Sequence, residues 1–242
     1  MAYAARHALY FLRGLVLTVV RLFSLVACLA LLVSCESGVI TFPAPEPAAV
    51  RIVNVTQNVP ITRVTMDSTI AVDAARGDAS GYISVAAGRP IAFTIGNTEK
   101  VYRDNLKYTL GGSGRVILFV RGDSTSLVEF RREIQDTLMP SSSATGVIRF
   151  THMAELVDKA YFLEVWIVGG PRLLPEEYEP GISSISFKDI QPGTYSFEVR
   201  ESRTTNVLAT LPNVLISAGK SYMLYTYDAT PQTTDNVTLK IF

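Results

Sequence analysis

The sequence predicts an all-β body, two antiparallel β-sandwiches in tandem, and three observations carry that prediction. From residue 49 onward the chain reads as short alternating runs separated by Gly, Pro, Asn and Asp, the signature of a sandwich or barrel. In Thr194-Tyr-Ser-Phe-Glu-Val-Arg200, Tyr195, Phe197 and Val199 share one face and Thr194, Ser196, Glu198 and Arg200 the other. Helical periodicity is scarce: Leu127, Phe130, Ile134 and Leu138 fit one short helix, Val128 and Phe130 a strand, and the strand is the preferred reading. The third observation is an internal repeat.

Val50-Arg-Ile-Val-Asn54 matches Ile148-Arg-Phe-Thr-His152, 98 residues on. Ile91, Phe93 and Ile95 match Tyr195, Phe197 and Val199, 104 residues on, all on the inward face. Gly114-Arg-Val-Ile-Leu-Phe-Val-Arg-Gly-Asp123 matches Gly219-Lys-Ser-Tyr-Met-Leu-Tyr-Thr-Tyr-Asp228, 105 residues on, which sets Asp123 opposite Asp228. The drift calls for about seven extra residues in the second copy, which the Pro171–Gly181 loop can supply. A copy of roughly 95 residues with about seven strands is the size of an immunoglobulin-like sandwich. The expected order is therefore a first domain over 49–138, a linker over 139–145 that contains Pro140-Ser-Ser-Ser-Ala-Thr145, and a second domain over 146–242.

What precedes the body reads as an address. Residues 1–34 contain Arg6, Arg13 and Arg21 and no acid, followed by an uncharged run from Leu22 to Val33. A spanning helix needs about 20 apolar residues, so this run suits the core of a secretory signal. A single helix from Leu15 to Val33 would bury Arg21 in the bilayer, at a cost. Leu32-Val33-Ser34-Cys35 resembles the lipobox of bacterial lipoproteins. That resemblance implies cleavage after Ser34 and lipid modification of Cys35, whose thiol is the soft nucleophile such an acylation uses. The alternative is ordinary cleavage with Cys35 incidental. Several acyl chains on one residue hold a protein firmly at a bilayer. Glu36 follows the cysteine where an inner-membrane retention signal would have Asp, which points to the outer membrane, on its periplasmic or its surface side. Phe42-Pro-Ala-Pro-Glu-Pro47, within a tether over 35–48, reads as a semi-rigid extended spacer.

The whole chain balances 22 Lys+Arg against 22 Asp+Glu, but three of the arginines lie in the signal, leaving the mature chain with 19 against 22 and a charge of −3. That balance lacks the electrostatic footprint of a nucleic-acid binder. Of the two cysteines Cys28 leaves with the signal, so no intramolecular disulfide is expected, and the cysteine and histidine counts argue against a zinc cluster.

The repeats resemble the domain-of-unknown-function 4397 family of exported bacterial proteins, through about residues 49–242. The second copy offers Ile148-Arg-Phe-Thr-His152, Glu164-Val-Trp-Ile-Val-Gly169, Gln191-Pro-Gly-Thr-Tyr195 and Ser217-Ala-Gly-Lys-Ser-Tyr222. The first offers Val50-Arg-Ile-Val-Asn54, Ser80-Gly-Tyr-Ile-Ser-Val-Ala-Ala-Gly88 and Gly112-Ser-Gly-Arg115, and departs at Thr62-Arg-Val-Thr-Met-Asp67. The resemblance implies a sandwich at the cell surface and brings no catalytic residues with it.

Catalytic chemistry is thinly represented. His152, the single histidine of the mature chain, matches Asn54, and a position that takes either residue suits a hydrogen-bonding strand end better than a general base. No Gly-Xaa-Ser-Xaa-Gly elbow accompanies it. Neither an enzyme nor a cofactor is expected. Arg121-Gly122-Asp123 matches a cell-adhesion tripeptide and equally suits a strand-ending turn, the preferred reading. Asp67, Asp73 and Asp78, with Asp228 and Asp235, read as solvated turn acids rather than a calcium loop, so no metal is expected. Asn54-Val-Thr56 and Asn236-Val-Thr238 are glycosylation sequons only in a eukaryotic secretory setting. Tyr222, Tyr225 and Tyr227 sit on one strand, the last two opposite the first, and suit a core. Tyr178, with Trp166 flanking the same loop, is the expected exposed contact for a protein or glycan partner.

Three functions are compatible with this sequence. The first is a non-enzymatic lipoprotein held to the membrane through Cys35 and acting as a structural or binding module. The second is a subunit of a fimbrial or outer-membrane assembly that uses the terminal Asn236–Phe242 segment as a donated strand. The third is a carbohydrate-binding or glycan-processing surface lipoprotein.

Overall fold

The structure is a computed structural model that describes residues 46–112, 114–123, 129–135 (backbone only), 143–154, 162–175, 177–181, 187–228 and 237–242. The signal segment, Ser34, Cys35 and most of the tether lie outside the described residues, as do Ser124, Asp235, Asn236 and most of the linker. Fifteen strands are described: β1 (Ala48–Asn54), β2 (Ile61–Met66), β3 (Ile70–Ala75), β4 (Ile83–Val85), β5 (Pro90–Gly96), β6 (Val101–Thr109), β7 (Arg115–Arg121), β8 (Glu129–Gln135), β9 (Gly146–His152), β10 (Leu163–Ile167), β11 (Lys188–Ile190), β12 (Gly193–Glu201), β13 (Val207–Ile216), β14 (Ser221–Asp228) and β15 (Val237–Ile241). The protein is all-β, and β8 is a strand across the segment whose sequence also allowed a helix.

The first half pairs a β4-β1-β7-β8 sheet with a β3-β2-β5-β6 sheet; the second pairs β11-β9-β14-β15 with β10-β12-β13. In each half the first strand runs parallel to the penultimate one, β1 to β7 and β9 to β14, while all other pairs are antiparallel. Between the two sheets of the first half lie Val50, Ile52, Val64, Phe93, Ile95 and Leu118; between those of the second lie Phe150, Val165, Phe197, Val199 and Leu224. The duplication read from the sequence is thus a duplication of topology.

Strand register refines the repeat. Val50 pairs with Val116 and Ile148 with Tyr222, so β7 and β14 correspond at 106 residues rather than 105. A one-residue slip moves every side chain to the other face. At 106 the outward residues match, Ile117 with Met223 and Phe119 with Tyr225, whereas the expected match of Asp123 to Asp228 fails. The extra length of the second copy is also spread out: Val64 and Val165, opposite Ile95 and Val199, are 101 apart, so part of the drift precedes β10. The Pro171–Gly181 loop supplies only the remainder.

Those outward residues build a third core between the halves. Val53, Val55, Ile117 and Phe119 pack against Met153, Met223, Tyr225 and Tyr227, with Phe242 at the margin. β7 and β14 are therefore buried on both faces, which explains their near-continuous apolar runs. Tyr225 sits among Phe119, Tyr227 and Phe242, with ring centres 5.7, 6.3 and 5.3 Å away, and its hydroxyl donates to Gly77 O at 2.8 Å. Burial pushes its phenol far above the usual range. Arg76 Nη2 donates to Asp228 O at 2.5 Å, and Lys240 pairs with Asp78 at 2.6 Å. Gly77 has φ +75°, and a Cβ there would collide with the Tyr227 hydroxyl, so backbone conformation and close approach both require glycine.

Candidate functional site

Two surfaces concentrate chemistry. The first is a cleft of about 500 Å³ at one end of the first half, where the approach to β2 meets the β5–β6 hairpin. That volume falls in the range of ligand pockets. Its walls include Pro60, Ile61, Arg63, Asp73, Asn97, Lys100 and Tyr102. Asn97 opens the hairpin turn: its Oδ1 accepts from the Glu99 and Lys100 amides at 2.9 and 2.8 Å, and its Nδ2 donates to Tyr102 Oη at 2.9 Å. This is an Asx turn, which is why Asn suits the position. Directly paired on β2 and β3, Arg63 donates twice to Asp73 at 2.8 and 2.7 Å. The guanidinium holds the Asp73 carboxyl below the usual carboxylate range. Lys100 Nζ lies 4.8 Å from the centre of the Tyr102 ring. The cleft thus offers an aromatic ring, an amide and a preset carboxylate–guanidinium fork.

The second surface is the outward face of the β10-β12-β13 sheet. Trp166 and Glu198 are cross-strand partners, as are Glu164 and Arg200. The Trp166 indole N–H donates to Glu164 Oε2 at 3.0 Å, Arg200 lies 4.4 Å over the indole and binds Glu198, and Arg172 pairs with Glu164 at 3.2 Å. Both carboxylates are buried, with side chains 8% exposed. Both are also committed to arginines. At the rim Arg203 contacts Glu177 at 3.2 Å, which together with Ser202 holds that carboxyl below its usual range.

The expected pairing of Trp166 with an exposed Tyr178 is corrected. Tyr178 is 1% exposed and stacks edge-on against Phe150 at 5.0 Å, inside the second core. Its backbone exchanges two hydrogen bonds with Leu163, each 3.0 Å, so the loop closes as an edge over β10 and drives the ring inward. Trp166 stays half-buried on the opposite face, under Arg200.

The remaining residues singled out by sequence have structural settings. His152 is fully buried with Nδ1 3.0 Å from Thr226 Oγ1, and Asn54, equally buried, binds Val59 O, Ala74 O and Thr56. Each also accepts from a positive-φ glycine at 2.6 Å, Gly77 for Asn54 and Gly181 for His152, a feature of the repeat that sequence reading missed. Burial likewise removes Asn54 as a glycan acceptor. Arg121 ends β7 and Gly122 is buried at φ +99°, the geometry of a strand-ending turn. Asp67, Asp73 and Asp78 face Arg89, Arg63 and Lys240 respectively. Among the described residues no three His, Cys, Asp or Glu side chains group as metal ligands.

No family model matches the chain, and no curated protein matches it. Among solved structures, the Bacillus anthracis TIE protein aligns over 81% of this chain and 43% of its own at 7% identity, with a TM-score of 0.23. A leucine-rich repeat protein from Bacteroides thetaiotaomicron VPI-5482 aligns over 80% of this chain and 27% of its own at 12% identity, with a TM-score of 0.19. The chain spans less than half the length of either.

Proposed function

We propose that the protein is a non-enzymatic lipoprotein of the outer membrane, anchored through Cys35, whose duplicated sandwiches serve as a structural or binding module. The observation that carries this reading is Leu32-Val33-Ser34-Cys35 at the end of an acid-free apolar segment. The Pro-rich tether and the resemblance of both copies to the domain-of-unknown-function 4397 family support it. An immunoglobulin-like architecture in each half fits copy length and the parallel pairing of first and penultimate strands. The test is metabolic labelling with a clickable fatty acid. Label on the wild type and none on Cys35→Ala is expected; equal label on both overturns the anchor.

The cleft favours a second reading, carbohydrate binding. Sugars are held by planar hydrogen-bonding groups beside an aromatic ring, and Asn97, Asp73, Arg63 and Tyr102 supply both. A glycan array run with wild type and Tyr102→Ala tests it: a hit lost in the variant supports it, and no hit retires it. Strand donation has less ground, because β15 pairs along its whole length with β14 of its own sheet.

A further inference from the structure

The rim between the two halves carries a basic patch that, among the described side chains, has no acidic partner. Arg51, on the outward face of β1, lies between two aromatic rings, its guanidinium carbon 4.2 Å from the centre of Tyr82 and 4.8 Å from that of Phe242. Arg115, at the start of β7, stands 5.3 Å from the same Tyr82 ring. Register brings them together: Ala49 pairs with Arg115 and Val50 with Ile83, so residues 51, 82 and 115 meet on one patch of the sheet. Arg63, Arg89, Arg172, Arg200 and Arg203 each face an acid. Among the described residues no carboxylate pairs with Arg51 or Arg115, and Arg51 Nε and Tyr82 Oη are buried without a hydrogen-bond partner.

We propose that Arg51 and Arg115, set by Tyr82, bind the phosphate group of a ligand. Two guanidinium groups against one ring repel each other, and a single dianion offsets both; a phosphate monoester carries about −1.5 to −2 at neutral pH. The guanidinium fork matches phosphate oxygens two at a time. Aromatic contacts on both sides of Arg51 hold it in place, so little side-chain freedom is lost on binding. This site is independent of the cleft, of the sugar reading and of the lipid anchor, so its failure leaves those intact.

The test titrates the full chain, in maltoside micelles at constant ionic strength, with inorganic phosphate and with glucose 6-phosphate, following heat of binding and the unfolding midpoint. Phosphatidylglycerol doped into the micelles forms a separate arm. Arg115→Gln, at an exposed side chain, is expected to weaken phosphate binding about tenfold, and Arg51→Gln by at least as much. Arg89→Gln, at an arginine already paired with Asp67, should stay within about twofold of wild type. Binding of glucose 6-phosphate should weaken below about pH 6, where its phosphate dianion takes up a proton. Saturation by phosphatidylglycerol with the same Arg115 dependence makes the source a lipid headgroup; saturation only by the soluble compounds makes it a free phosphate ester. Either result supports the site. Equal binding by wild type and Arg115→Gln, or no difference between phosphate and chloride, overturns it.

Discussion

In the first half the strand beside β2 is its regular hairpin partner β3, whereas in the second half the corresponding chain forms no strand among the described residues and meets β10 through the isolated Leu163–Tyr178 and Trp166–Arg172 bridges and through hydrogen bonds from Leu173 N to Val165 O and from Ile167 N to Pro171 O. The order β4-β1-β7-β8 recurs as β11-β9-β14-β15 and the order β2-β5-β6 as β10-β12-β13, so the change is confined to the β3 edge. Where β3 is regular, its charges stay at the surface, as in Arg63–Asp73 with side chains 44% and 47% exposed. Where it is replaced, an aromatic side chain fills the core and an ion network with buried carboxylates covers the outer face. An edge strand can thus be exchanged for a plug and a charge cluster without disturbing the central parallel pair.

The largest expected break in this comparison is Tyr178→Ala. Removing a fully buried aromatic typically costs about 3–5 kcal/mol, and a urea melt should show the loss. The equivalent edge in the first half has no such plug, so Val72→Ala on β3, only partly buried, should cost clearly less. Next comes Glu198→Ala, which strips Arg200 of its partner beside Trp166. Breaking a pair this buried costs about 2–3 kcal/mol once the partial exposure of Arg200 is allowed for. A smaller loss, about 1 kcal/mol, is expected for Tyr225→Phe, which removes one buried hydrogen bond between the halves. An unchanged melt would mean that the Tyr225 hydrogen bond adds nothing to the joint, leaving it to the apolar core and the Arg76–Asp228 and Lys240–Asp78 contacts.

The smallest effect is the acid limb. Asp67, Asp73 and Glu177 have carboxyls below their ordinary values, Asp67 chiefly through the Ala92 amide and then Arg89. Their stabilisation is fully present above the unfolded-state values of 3.8 and 4.5 and is lost as pH falls through the depressed folded-state values. The melting midpoint should be level near neutrality and fall below about pH 4, and Arg63→Gln should shrink that fall slightly, since these groups are exposed and screened.

How much was legible follows from how each strand is buried. Apolar residues alternate with polar or small ones in Val50-Arg-Ile52, Ile91-Ala-Phe-Thr-Ile95, Ile148-Arg-Phe150 and Tyr195-Ser-Phe-Glu-Val199, and the matches at 98 and 104 residues set core residues of one half on core residues of the other. β7 and β14 are buried on both faces, so alternation vanishes and a one-residue error in their match could not be seen from Val116–Val120 alone. Tyr178 sits among Pro and Glu and reads as exposed; the pairing of its backbone with Leu163, 15 residues away, turns it inward, and no local pattern announces that. The β2–β3 turn at Asp67-Ser68 takes positive φ at both residues without glycine, so its shape was equally hidden. The cleft joins residues 58–63 to 97–102 and exists only after folding.

Two similar halves, each with its own core, are fused by a third core into one cooperative body. Scanning calorimetry of the full chain tests this most directly. A single transition whose calorimetric and van't Hoff enthalpies agree is expected, with Tyr225→Ala splitting or broadening it. Two separate transitions in the wild type, unchanged by Tyr225→Ala, would contradict it.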